Sequence, residues 1–189
     1  VVIGGGLVGD VGGFAAASFL RGVRFVAIPT TLLAMVDAST GGKTGVNLPL
    51  PGGDLGKNMA GAFWPPLEVI ADPSTLTTLP RRELASGIAE CVKHAFIDGE
   101  EHLRWLETHV ERILHRDAGG TSVPVDGAAF AELVARSVAV KARIVTEDPR
   151  EQGIRAVLNF GHTFGHGLET LPGIDLTHGE AVAIGMVAA

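Results

Sequence analysis

A lone cysteine, Cys91, leaves no second thiol for a disulfide framework and fits a reducing compartment, which points to the cytoplasm. No apolar run approaches the roughly 18 residues that would span a bilayer, so no membrane partner is expected. Basic runs are missing too. With a net charge of −6 and a pI of about 5.6, nucleic acid is not an expected partner. No charged segment precedes the apolar start, as a signal peptide would require, and there are no internal repeats or low-complexity segments. Nor is there an initiator Met. The chain opens inside VVIGGG and stops inside AVAIGMVAA, and the expectation is a piece of a longer protein, with function drawing on residues beyond it. What is present is 189 residues, 46% of them hydrophobic, enough for one sizeable core or for one domain and part of another.

The most informative stretch is LNFGHTFGHGLETLPGIDLTHGE, from Leu158 to Glu180. His162 and His166 are four apart, which on a helix places them on one face, one turn apart. His178 follows a turn containing Pro172 and Gly173 and opens a second apolar segment. Imidazole is the commonest metal-ligating side chain, and a catalytic zinc site takes three protein ligands and keeps one position open. This stretch can supply two or three of them. The alternative is that these histidines are hydrogen-bonded, structural residues at helix ends.

The chain before it divides in two. Val1 to Ile3 reads as a strand that runs into Gly4-Gly5-Gly6-Leu7-Val8-Gly9-Asp10, which contains G-x-G-x-x-G ahead of a predicted helix over Val11 to Leu20. Backbone N–H groups there suit a phosphate. The acid that a dinucleotide fingerprint places about 20 residues on is absent, since that region is Ile28-Pro29-Thr30, so a structural glycine turn is the alternative. Arg24 to Ile28 reads as a second strand, and Thr30-Thr31 as the cap of a helix over Leu32 to Ala38 that contains Asp37. Thr40 to Asn47 and Gly52 to Asn58 read as glycine-rich loops that carry Lys43 and Lys57. They suit an anion or, alternatively, are solvated surface. They are not a P-loop, because Asp37 stands where its first glycine belongs. Leu67 to Ala71 reads as a short strand.

After Pro80 the pattern is helical. Arg81 to Ile97 carries Glu83, Glu90, Lys93 and His94. An acid inside SGIAECV is costly unless paired or bound to a cation, and an exposed Glu90–Lys93 ion pair is the bland alternative. Cys91 reads as a small core residue. Glu100 to His115 is amphipathic, with Leu103, Leu106, Val110 and Ile113 on one face, and with His102, His109 and His115 expected in solvent. Asp117 to Gly127 reads as a loop and Phe130 to Val145 as a helix. Arg155 and Asn159, four apart, are expected to face the same side.

Six blocks in order, GGGLVGDVGGF, RGVRFVAIPTTLLAMVDASTGGKTGVN, GKNMAGAF, LASGIAECVKHAFI, LNFGHTFGHGLE and HGEAVAIGM, resemble the 3-dehydroquinate synthase family over nearly the whole chain. The resemblance implies an α/β nucleotide-binding part followed by an all-α metal-binding domain. Residues 1–79 would be the C-terminal portion of the NAD-binding domain, and residues 80–189 a truncated helical domain for metal and substrate. It implies NAD and one divalent metal, zinc first and cobalt as the alternative, held by Glu90, His162 and His178, with His166 turned to the substrate. Gly6, Leu7, Val8, Gly9, Asp10, Thr30 and Thr31 would contact NAD. Thr75, Leu76, Thr77, Thr78 and Glu83 would lie near the nucleotide, with Lys43 and Lys57 also on the cofactor side. Arg21, Lys57, Asn58 and Lys141 match substrate-binding positions. Lys43, Lys93, His166, Asp37, Arg155 and Asn159 match active-site positions. Arg21 would reach in from a neighbouring subunit, which implies a homodimer. About five extra residues, through Pro51 to Asp54, separate Lys43 from Lys57.

The implied reaction converts 3-deoxy-D-arabino-heptulosonate 7-phosphate to 3-dehydroquinate and phosphate, in the shikimate pathway. It runs through transient oxidation by NAD, phosphate elimination, re-reduction and intramolecular aldol closure. Other sugar-phosphate cyclases, a metal-dependent alcohol dehydrogenase and a non-catalytic domain are the competing readings. Two glycine–lysine loops argue for a phosphorylated substrate over a simple alcohol.

Overall fold

The structure, a computed structural model, describes residues 1–52, 55–113, 127–171 and 173–189, without the side chains of Leu55 and Lys57. The expectations placed on His115, on the loop at 117–126 and on the side chain of Lys57 lie outside the described residues, as do Gly53 and Asp54.

Strand β1 (Val2–Gly4) leads directly into helix α1 (Gly6–Ser18), and a 3-10 turn follows at Phe19–Arg21. The helix begins five residues earlier than the sequence suggested. Gly5 is extended and serves as its N-cap, and the Gly9 N–H already donates to Gly5 O at 3.0 Å. Glycine disfavours helix interiors, which is why the run reads as a loop in sequence. Strand β2 (Val26–Pro29) pairs in parallel with β1, Val2 opposite Ala27 and Gly4 opposite Pro29. Strand β5 (Glu68–Val69) pairs in parallel on its other side. The sheet order is β1-β2-β5.

After β2 the chain enters a helical turn whose last part, Ala34–Ala38, is a π-helix carrying Asp37. The Thr31 hydroxyl accepts from the Ala34 N–H at 3.2 Å, as expected for a cap. The larger part of each glycine-rich stretch, from Lys43 and from Leu55 on, proves to be strand. β3 (Lys43–Pro49) and β4 (Leu55–Phe63) form a separate antiparallel ribbon, in register from Lys43 opposite Phe63, with an irregularity between Val46 and Leu48. Strand pairing satisfies these backbone groups whatever the side chains are, so glycine content misled the sequence reading.

A 3-10 turn at Pro73–Thr78, capped by the Asp72 carboxylate on Ser74 N–H, leads to the helices. These are α2 (Arg81–Asp98), α3 (Glu100–Ile113), α4 (Gly127–Glu147), α5 (His162–Glu169) and α6 (His178–Ala188). A 3-10 turn at Ile154–Asn159 precedes α5. The largest buried cluster joins Leu32, Met35, Val36 and Leu76 to Leu84, Cys91, Ala95, Leu106, Ile113, Phe130 and Leu133. Apolar burial therefore runs from the π turn through α2, α3 and α4 without a break at Leu79, and it holds α2 fixed behind the site. Among the described residues no helix is long and apolar enough to cross a membrane.

His102 corrects an expectation. It is 2% exposed, with its Nδ1 3.1 Å from an Asp98 carboxylate oxygen one turn back at the end of α2. Charged neighbours along α3 suggested solvent, but packing of α3 on α2 buries this one position. His109 is half-buried, stacked on Trp105 with ring centroids 4.5 Å apart.

Candidate active site

A cavity of about 440 Å³ opens where the start of α1, the π turn, the ribbon, the 3-10 turn at Ile154–Asn159 and the helices α2, α4, α5 and α6 meet. Gly6, Leu7 and Asp10 line it from α1, Asp37 from the π turn, and Lys43, Asn47 and Asn58 from the ribbon. Lys93, Lys141, Glu151, Arg155, Asn159, His162, His166 and His178 complete the wall from the helical side. Arg155 and Asn159 do reach one cavity, as expected.

Glu90 lies behind the histidines on α2, fully buried. Its Oε1 is 3.5 Å from His178 Nε2 and 3.7 Å from His162 Nε2, and it accepts no hydrogen bond. Its Oε2 pairs with Lys93 Nζ, one turn along the same helix. The exposed ion pair was the bland alternative for these residues; both members are instead at most 1% exposed, because α2 turns this face toward α6. The other ring nitrogens are already engaged. His162 Nδ1 lies 3.2 Å from Phe160 O, and His178 Nδ1 lies 2.9 Å from Glu169 Oε1. These contacts hold both rings with Nε2 turned toward the Glu90 oxygen.

Ligand atoms of Glu90, His162 and His178 all fall within 4.8 Å of one another. Zinc–ligand distances of about 2.1 Å would set tetrahedral edges of about 3.4 Å, close to the separations from Glu90. A buried carboxylate oxygen and two imidazole Nε2 atoms that converge on one point form a donor set suited to a cation. These three residues therefore fit a divalent metal, with the cavity side open. His166, one turn beyond His162, is exposed to the cavity, its ring edge-on to His162 at 5.3 Å.

Electrostatics divide the histidines. Burial and the nearby Lys93 charge lower the His162 pKa, keeping the ring neutral and ready to ligate. Burial also opposes charge on His178, but the facing Glu90 and Glu169 carboxylates outweigh it and raise its pKa. A metal would thus compete with a proton at His178. Burial alone would raise the Glu90 pKa, yet His178 and Lys93 bring it below the ordinary value.

Cations and acids alternate around the rest of the wall. Lys141 Nζ donates to the Asp37 carboxylate and to Asp37 O, both at 2.6 Å. Burial opposes the Asp37 charge, but Lys141 and Lys93 hold the carboxyl well below its ordinary range. Lys43 pairs with Glu151, whose other oxygen accepts from Asn159 Nδ2 at 2.8 Å. Buried Arg155 donates to Pro149 O at 2.8 Å and to Gly41 O at 3.1 Å, tying its turn to the base of the ribbon. Asn47 Oδ1 accepts from Asn58 N–H at 2.9 Å across the ribbon. Glu151, Asn47 and Glu169 were missed in the sequence. Glu151 has no periodic neighbours and sits at a positive φ of 57°, and Glu169 gains meaning only from its contact with His178.

The expected nucleotide residues are partly gathered. The Thr31 side chain adjoins Gly5 at the start of α1, and Thr30 N–H donates to Gly4 O at 2.9 Å. Gly9 lies on α1 away from the cavity lining, and Val8 is exposed beside Val1, Ile3 and Val11. Thr75, Thr77 and Thr78 lie in the 3-10 turn before α2, Leu76 is buried in the main core, and Glu83 is in the first turn of α2; none lines the cavity. Arg21, exposed at the end of its turn with φ 67°, is also outside the lining.

His94 is fully buried against this cluster, and neither ring nitrogen has a hydrogen-bond partner. Burial, reinforced by Lys93, pushes its pKa from 6.5 down to about 4. The unfolded chain binds this proton near pH 6.5 and the folded chain only near pH 4. His94's contribution is therefore complete above pH 6.5 and is lost as pH falls toward 4, by about 3 kcal/mol across that window. Urea midpoints measured between pH 7 and 4 should show a shallower acid limb for His94→Leu than for the parent. Identical limbs would show that folding does not shift proton binding at His94.

Comparison with known proteins places this geometry. The 3-dehydroquinate synthase N-terminal family model matches residues 1–86, and the C-terminal one residues 87–189. The 3-dehydroquinate synthase of Acinetobacter baylyi is 55% identical over 190 residues, and that of Symbiobacterium thermophilum 53% over 189; each match covers 100% of this chain and 49% of the relative. The chain thus spans about half the length of the curated relatives it matches. Among solved structures, 2-epi-5-epi-valiolone synthase from Streptomyces hygroscopicus subsp. jinggangensis, with NAD+ and Zn2+ bound, superposes with a TM-score of 0.82 at 32% identity. That match covers 98% of this chain and 48% of the other. A 2-deoxy-scyllo-inosose synthase complexed with carbaglucose-6-phosphate, NAD+ and Co2+ gives 0.77 at 30% identity, covering 98% and 48%. Both halves of the chain are matched by the two parts of one family, and the chain belongs to the 3-dehydroquinate synthase family.

Proposed function

We propose that the protein carrying this chain is a 3-dehydroquinate synthase, converting 3-deoxy-D-arabino-heptulosonate 7-phosphate to 3-dehydroquinate and phosphate with NAD and one divalent metal, zinc or cobalt. The observation that carries the reading is the meeting of Glu90, His162 and His178 at the edge of a cavity that also holds Lys43, Lys93, Lys141 and Arg155. A metal site explains the first set and an anionic, phosphorylated substrate the second.

In this reading Glu90, His162 and His178 hold the metal, and the start of α1 with Thr30 and Thr31 receives NAD. When bound, the two groups supply a reversible hydride acceptor and a positive charge that favours ionisation of a hydroxyl. The chain's own residues do the rest. Lys43 and Arg155, with Asn58 and Lys57 from the ribbon, bind the phosphate and carboxylate ends and fix the geometry for elimination and ring closure. Asp37 fixes the Lys141 ammonium at the wall and opposes the lowering of its pKa by burial. Lys93 neutralises Glu90 and, with His166, stands where a proton can be moved. Glu151, within reach of Lys43 and Asn159, orients both before substrate arrives. Residues 1–79 act as the nucleotide part and 80–189 as the metal and substrate part of a cytoplasmic homodimer, to which Arg21 contributes across subunits.

The test follows phosphate release and NADH absorbance together, in the intact protein supplied with the heptulosonate phosphate, NAD and zinc. Phosphate without lasting NADH is the expected result, since the redox step is internal. NADH accumulating without phosphate would make the protein a dehydrogenase. Phosphate release from glucose 6-phosphate or sedoheptulose 7-phosphate alone would move it to the related cyclases.

A further inference from the structure

Residues 82, 86 and 90 of α2, four apart, form a row on one helix face, and each meets the first turn of α6 or its approach. Glu90 faces His178. Ser86 Oγ accepts from the Gly179 N–H at 2.9 Å, in a buried contact so close that a Cβ on Gly179 would lie 2.2 Å from Ser86 O. Arg82 donates from Nη1 to Asp175 Oδ2 at 2.8 Å, from Nη2 to Asp175 O, and from Nη2 to Glu180 Oε2 at 2.9 Å, while its Nε lies 3.2 Å from both Glu180 oxygens. Glu180 also closes the capping box of α6, its Oε2 accepting from Thr177 N–H at 2.7 Å. The chain is thus pinned at 175, 179 and 180, on both sides of His178.

We propose that Arg82 and Ser86 are positioning residues for the metal site, setting the place of the α6 start so that His178 Nε2 stands opposite Glu90. The proposal rests on the reading of Glu90, His162 and His178 as ligands. An exposed ion pair contributes little to stability, so a fork of this quality at an exposed arginine calls for a geometric reason. His178 supplies one. Its side chain hangs from the first residue of α6, and a tetrahedral site does not tolerate a ligand displaced by an ångström. Ser86 and Glu90 share one helix, so the clamp measures the position of His178 from the same element that presents its fellow ligand.

Arg82→Ala, Arg82→Lys and Ser86→Ala test this in the intact protein, stripped of metal and titrated with Co2+ alone against a competing chelator. Co2+ affinity is expected to fall 10–100-fold in each, with a changed visible d–d spectrum, while the melting temperature of metal-free Arg82→Ala stays near the parent's. Lysine keeps the charge but cannot span Asp175 and Glu180, so Arg82→Lys should resemble Arg82→Ala. Parent-like Co2+ affinity and spectrum in Arg82→Ala and Ser86→Ala would overturn the proposal, as would full rescue by Arg82→Lys. Should one variant fail to fold, the others decide. A parent that binds no Co2+ would instead remove the ligand assignment itself, and the proposal with it.

Discussion

His162→Ala is expected to leave the intact protein with no stoichiometric metal after dialysis and with activity at the baseline. His162 approaches Glu90 Oε1 from Nε2 while its Nδ1 is held at Phe160 O, so Ala removes both the donor and the ring that closes that side of the site. Removing an outer partner of a ligand typically weakens metal binding 10–100-fold, and loss of the ligand should exceed that. Two remaining donors, Glu90 and His178, do not make a zinc site, and the facing Glu90 and Glu169 carboxylates raise the His178 pKa, so a proton competes with the metal there. Elemental analysis of the dialysed protein, with circular dichroism to confirm the fold, is the measurement. Zinc retained at one equivalent would remove His162 from the ligand set.

Gly185→Ala is expected to destabilise the intact protein by about 3 kcal/mol or more and to disrupt the metal site with it. A Cβ at this position would lie 1.9 Å from Gly161 O, 2.9 Å from Gly161 C and 3.0 Å from Gly165 N. All three are backbone atoms, so no rotamer change relieves the clash, and α5 and α6 must separate. Alanine favours a helix interior over glycine by about 1 kcal/mol, so the steric cost has to overcome that gain. Gly167→Ala is the control. It lies on α5 with no atom within 4 Å of the added carbon and should be neutral or slightly stabilising. Urea unfolding of both variants is decisive: a Gly185→Ala protein within about 1 kcal/mol of the parent would mean that the two helices are not this close.

Periodicity made much of the frame legible in the sequence. VVI and RFVAI carried β1 and β2, and the apolar spacing after Pro80 carried the helices, because burial of one face imposes its own period on the chain. The β3–β4 ribbon was not legible, since Gly and Lys carry no strand signal and pairing across the hairpin does the work. The Glu90–Lys93 pair was visible as a pair, but its burial stayed open between two readings, because which face of α2 is covered depends on α6, some 90 residues on. Spacing alone pointed to His162 with His166; the structure sets His178 as near to His162 as His166 is, at 5.2 and 5.3 Å between ring centroids, and only the resemblance of the surrounding motifs chose between them. Glu151 and Glu169 act through contacts made in three dimensions, to which neither sequence position nor composition is sensitive.

The row at 82, 86 and 90 makes α2 a ruler. Its members can be exchanged one at a time, each at a graded cost, but their spacing cannot change. One residue inserted between Ser86 and Glu90 would rotate everything beyond it by roughly 100° about the helix axis. Glu90 would then turn away from His178 while Arg82 and Ser86 still gripped the α6 start, and Cys91, Lys93, His94 and Ala95 would be turned out of their buried positions with it. In descent this segment should therefore vary in letters and never in length, a constraint that acts on the reading frame of the helix rather than on any one side chain.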